Sequence, residues 1–65
     1  MEDYQQRVID EKKELNEKIM KLVAFLANPA LLSRLTKGEL RRLERQFVIM
    51  ESYRDILNER ILAFT

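Results

Sequence analysis

Residues 40–64, LRRLERQFVIMESYRDILNERILAF, decide the fold. Leu40, Leu43, Phe47, Met50, Leu57, Ile61 and Phe64 recur at spacings that alternate between three and four, and Arg54 is the one charged residue in the row. That period puts the whole row on one face of a helix. A stripe of this kind needs a cover.

Upstream of this stretch lies Thr36-Lys37-Gly38-Glu39, with a hydroxyl at the N-cap position and a Glu three residues on. This is the pattern of a capping box, in which each side chain satisfies a backbone N–H of the other. It predicts a helix over residues 37–63. Further back, Pro29 disfavours helix at Asn28 and lacks a backbone donor, so Asn28-Pro29 ends whatever precedes it. The same pair can open a new helix, with Asn28 as N-cap and Pro29 in the first turn. A short helix over 29–35 follows, with Leu31, Leu32 and Leu35 folding back over the end of the core.

The first 27 residues supply the cover. Met1, Gln5, Val8, Lys12, Leu15, Ile19, Leu22 and Leu26 form a matching row on a helix over residues 2–27. Glu14 with Lys18 and Glu17 with Lys21 stand four apart on the outer face, each pair contributing about 0.3 kcal/mol. Two long helices and a short connection imply an antiparallel hairpin, all-α and a single domain over 1–65. Laying the rows together sets Leu26 against Leu40, Leu22 against Leu43, Ile19 against Phe47 and Leu15 against Met50. It continues with Lys12 against Arg54, Val8 against Leu57, Gln5 against Ile61 and Met1 against Phe64.

Apolar residues are left over: Ile9, Met20 and Val23 in the first helix, and Val48, Ile49, Tyr53, Ile56 and Leu62 in the second. A helix with apolar residues on more than one face is covered on more than one face. A chain of 65 residues also builds a marginal core by itself. With no Cys to crosslink it and no His to bind a metal, self-association is the remaining source of stability. The expected assembly is a helical-bundle homo-oligomer, most simply a four-helix dimer.

The composition excludes much. Without Cys or His, and with Ser33 and Ser52 lacking any base-and-orienter set, no catalytic constellation is present, so the chain reads as a non-enzyme without cofactor. Its carboxylates sit among Lys and Arg on periodic helix and give no metal loop. Arg34, Lys37, Arg41, Arg42 and Arg45 form a basic stripe, but Glu39 and Glu44 interrupt it and the net charge is only +1. A solvated helix face explains the stripe better than a nucleic-acid interface does. No apolar run reaches the ~18–20 residues of a membrane span, and the acidic Met1-Glu2-Asp3-Tyr4 opening is unlike a secretory signal. A cytoplasmic location is expected.

One chemical anomaly remains. The register places Lys12 and Arg54 in one layer of an apolar seam, where two cations repel unless compensated. Glu11, Glu51 and Asp55 are near enough to make it a register-setting polar layer. Alternatively, the two cations hold an anion such as the phosphates of a nucleotide, a fork and a point charge being suited to that. Tyr4 and Tyr53 then offer a stacking surface for a base, with Arg7 beside it.

A resemblance bears on this choice. Tyr4-Gln-Gln-Arg-Val8, Glu11-Lys12, Glu14-Leu15, Glu17-Lys18-Ile19, Lys21-Leu22 and Phe25-Leu26 resemble the opening of a group of small helical accessory proteins of phages and prophages. Leu40, Leu43, Gln46, Met50, Tyr53, Leu57, Arg60-Ile61 and Phe64 are similar to their second half. The resemblance implies a phage protein acting against host defence in the bacterial cytoplasm. Some such proteins, on unrelated helical hairpins, are oligomers that sequester signalling nucleotides, which is analogy and transfers no residue. The expectation is therefore sequestration of a nucleotide signal between protomers. The alternatives are a protein-binding inhibitor or adaptor, presenting Val48, Ile49 and Ile56 to a host or phage protein, and a small structural oligomer.

Overall fold

The structure is a computed structural model that describes residues 2–64. Three helices follow one another: α1 over Asp3–Leu26, α2 over Pro29–Leu32 and α3 over Lys37–Leu62. There is no strand among the described residues. The helices α1 and α3 pack along their length as an antiparallel hairpin. Lys12 reaches Asn58, Tyr4 meets Phe64, and Leu26 and Leu40 share a hollow at the closed end. The all-α helical hairpin with a short connecting helix is thus the fold.

Local chemistry sets the helix ends. The Asn28 side-chain oxygen accepts from the backbone N–H groups of Ala30 and Leu31 at 3.0 and 3.3 Å, satisfying two orphan donors of α2. The segment expected as helix through residue 35 is α-helical only to Leu32. Arg34 and Leu35 donate three residues back, to Leu31 and Leu32, and the Ser33 hydroxyl donates to the Ala30 carbonyl. This tighter winding turns the chain into α3.

Thr36 caps α3 as expected: its hydroxyl oxygen accepts from the Glu39 N–H at 3.1 Å. The returning half of the box is not among the hydrogen bonds formed. Glu39 Oε2 instead takes the Arg42 guanidinium at 3.1 Å, since an arginine one turn on offers a charged donor to the same carboxylate. A reciprocal contact occurs at α1, where the Glu2 N–H donates to Gln5 Oε1 at 3.0 Å. Thr36→Ala should therefore cost about 1 kcal/mol, read as a lowered midpoint in urea with unchanged slope. A change in slope would show that the cap does more than close the helix.

The core is thin. Val8, Leu15 and Ile19 of α1 and Leu57 of α3 are buried, with Phe47, Met50, Ile61 and Phe64 packed against them. All eight belong to the two rows read from the sequence. Met1, placed in the first row, lies outside the described residues. Leu22, Leu26, Leu40 and Leu43 are half-buried, as are Leu31, Leu32 and Leu35. Leu32 joins Leu26 and Leu40 at the closed end, so α2 plugs that end. It does not reach the second stripe of α3, where Ile49, Tyr53 and Ile56 are exposed.

The result is a rod of 47 × 15 × 14 Å with a radius of gyration of 14.9 Å. A compact chain of this length would have roughly 11 Å. No helix among the described residues is long and apolar enough to cross a membrane.

Candidate functional site

The polar layer in the seam is built by one residue from each long helix. Lys12 stands between Val8 and Leu15 on α1, both buried, so its stem is carried into the hairpin interface. Its ammonium emerges and donates to Asn58 Oδ1 at 2.8 Å, a half-buried hydrogen bond between the helices. The acceptor is one helical turn beyond Arg54. A lysine stem is long enough to carry its charge out of the apolar seam to this acceptor.

Arg54 is held from its own helix. Its Nη2 lies 3.8 Å from Glu51 Oε2 and its Nε 3.8 Å from Asp55 Oδ1. These are ion pairs too long for hydrogen bonds. The side chain is 33% exposed, and its guanidinium faces two carboxylates without being gripped by either. A guanidinium has five N–H donors, and 3.8 Å contacts leave them able to engage an anion.

Tyr4 sits at the open end, its ring edge-on to Phe64 with centroids 5.9 Å apart and planes at 82°. The contact gives the exposed ring a fixed orientation. Arg7 is exposed one turn into α1, and Tyr53 is exposed on α3 next to Arg54. Tyr53 lies on α3 and Phe64 just past its end, eleven residues on, or about 16 Å along the helix direction. Tyr4 and Tyr53 of one hairpin are therefore set at different levels. Tyr53 adjoins Arg54 on α3, the Lys12 ammonium reaches Asn58 one turn further along, and Tyr4 lies at the open end beside Phe64.

Sequence reasoning missed Asn58. It stands off the apolar row, and the only signal was its place one turn after Arg54, within reach of a long side chain from α1. It also missed a hollow of about 340 Å³ on the outer side of α3, lined by Arg42, Arg45, Gln46, Ile49 and Met50. Gln46 Nε2 there lies 3.7 Å from the Met50 sulfur.

No curated protein and no solved structure matches the chain. A family model does match, with the description Sequestin, over residues 2–63 and so over both long helices and the connection. By that match the chain belongs to the Sequestin family.

Proposed function

We propose that this protein sequesters a phosphate-bearing nucleotide signal between protomers of a homo-oligomer, and so acts as a phage-encoded counter to bacterial immunity. The family name speaks of sequestration, a binding role in which a ligand is held rather than converted. The observation that carries the nucleotide reading is Arg54: a half-buried guanidinium in an apolar seam whose neighbouring carboxylates stop at 3.8 Å. An incoming phosphate would supply the short, charge-assisted bonds that Glu51 and Asp55 do not. Lys12 would exchange Asn58 for a phosphate oxygen, at the loss of one hydrogen bond. Tyr53, next to Arg54 on α3, is placed to stack on a base, and Tyr4 and Arg7 would join from a further hairpin set alongside at another level, in an assembly larger than one pair.

Calorimetric titration of cyclic dinucleotides and of cyclic ADP-ribose isomers tests this. The expected result is a saturable heat with one class, at a stoichiometry below one ligand per chain because the site is shared. No heat with any of them would end the nucleotide reading.

A second reading is favoured by a different observation. Val48, Ile49 and Ile56 stay exposed on α3 and could engage a host or phage protein, making the chain an inhibitor or adaptor. One stoichiometric protein retained from bacterial lysate by wild type, and lost on Ile49→Asp, would favour it.

A further inference from the structure

The hollow on α3 has the geometry of a packing site. Four of its lining residues, Arg42, Arg45, Gln46 and Ile49, stand at i, i+3, i+4 and i+7. That is the four-residue hole which receives one side chain of a facing helix in knobs-into-holes packing. The hole lies on a second row of α3: Arg42, Gln46, Ile49, Tyr53, Ile56 and Arg60, again with spacings of four and three. Ile49, Tyr53 and Ile56 in its centre are 65%, 41% and 55% exposed. The row runs one residue out of step with the row that packs on α1, which turns it about 100° around the helix. A helix with two such rows at about a right angle has the two neighbours that a four-helix bundle provides.

We infer that this row is covered by a second copy of the chain, α3 against α3 in antiparallel sense, with Ile56 of each copy seated in the hole formed by Arg42, Arg45, Gln46 and Ile49 of the other. An antiparallel pairing that matches all six positions sets Gln46 against the partner's Ile56, Ile49 against the partner's Tyr53, and Arg42 against the partner's Arg60. In the end layers Glu39 already pairs with Arg42 at 3.1 Å, and long arginine stems carry their charges outward.

Charge selects this occupant and this direction. Residues 18–45, the closed end of the hairpin, carry seven Lys and Arg against two Glu, net +5. The remaining residues, at the open end, carry five against nine acids, net −4. Antiparallel stacking lays the basic end of each copy over the acidic end of the other, and parallel stacking opposes like ends. At the border of the seam the same register brings Arg45 beside the partner's Glu59, twice by symmetry. Both side chains are exposed, and neither is in an ion pair among the described residues.

Surface area agrees. The chain exposes 5293 Å². A compact monomer of its mass would expose roughly 4,400 Å². The excess of roughly 900 Å² is close to what each partner buries in a standard interface.

Sedimentation of wild type, Arg45→Glu, Glu59→Arg and an equimolar mixture of the two variants tests the inference. It deepens the sequestration reading only in assigning the shared face, and it needs no ligand. Wild type is expected to sediment as a dimer or a multiple of one. Each variant alone opposes two like-charged pairs and should dissociate about tenfold more readily. The mixture restores both pairs in a heterodimer and should recover the wild-type mass. Circular dichroism of each variant confirms an intact hairpin, since both positions lie on the surface. A monomeric wild type, single variants of unchanged mass, or a mixture that stays dissociated would each overturn this interface. None of these outcomes bears on whether a nucleotide gives heat, so the two proposals fail separately.

Discussion

Leu57→Ala is expected to leave most of the chain unfolded at room temperature. Among the described residues Leu57 is the one large side chain with no exposed surface, and it closes the cluster of Val8, Leu15 and Ile19. Truncating a buried leucine costs about 2–5 kcal/mol, from lost burial and the cavity left behind. A chain of this length has roughly 3–10 kcal/mol to lose. The hairpin is one layer deep, so no second shell can settle into the gap. The readout is the far-ultraviolet circular dichroism melt, in which the cooperative transition should shift far down or vanish. Leu62→Ala, five residues on and 76% exposed, is the control and should stay within about 0.5 kcal/mol of wild type. Equal losses in the two variants would mean that Leu57 does not hold the core together.

Arg54→Leu should separate binding from folding. The ion pairs of Arg54 are long and on its own helix, and pairs of that kind are worth about 0–1 kcal/mol. An apolar side chain at a half-buried seam position recovers part of that through packing, so the melting temperature should hold or rise. If the guanidinium holds phosphate, its loss removes a charged hydrogen bond worth about 1.5–3 kcal/mol, or roughly 10- to 100-fold in affinity. The combination to look for is nucleotide affinity lost with stability kept. Unchanged affinity would remove Arg54 from the site. A collapse of stability would make it a structural residue whose carboxylate contacts matter more than their distances indicate.

The hairpin was legible because its determinants are local or periodic. Two rows of apolar residues, the Asn28-Pro29 break and the Thr36 hydroxyl each act within a few residues, and the antiparallel arrangement follows from the short connection. What sequence could not give was the choice among competing partners. Glu39 was open to the return contact from the Thr36 N–H and to Arg42, and the arginine took it. Lys12 was open to Glu11, to a ligand or to any acceptor within its reach, and it found Asn58 across the interface. Arg54 had two carboxylates within a turn and lies between them. Such choices turn on differences of an ångström in flexible side chains, which periodicity does not encode. The contacts of Lys12, Arg54 and Glu39 were therefore not readable from the sequence. The hole on α3 escaped for a different reason: its residues were read as a basic stripe and as spare apolar positions, although their i, i+3, i+4 and i+7 spacing sets them on one helix face.

The two rows of α3 stand one residue apart, so α1 has two stripes it could lie against. Pairing has to specify how α3 is rolled about its own axis as well as how far it slides. The apolar residues discriminate weakly here, since Ile49 and Ile56 would bury as readily as Met50 and Leu57. The discrimination comes from the ends of the outer row, Arg42 and Arg60, which α1 would have to bury if α3 rolled by one residue. The inner row offers Leu43 and Ile61 at the same levels. The charged residues at the ends of the stripe thus act as a rotational key, and they exclude the wrong hairpin by what it would cost. Replacing both arginines by leucine would leave every native contact of the inner row intact and make the fold ambiguous.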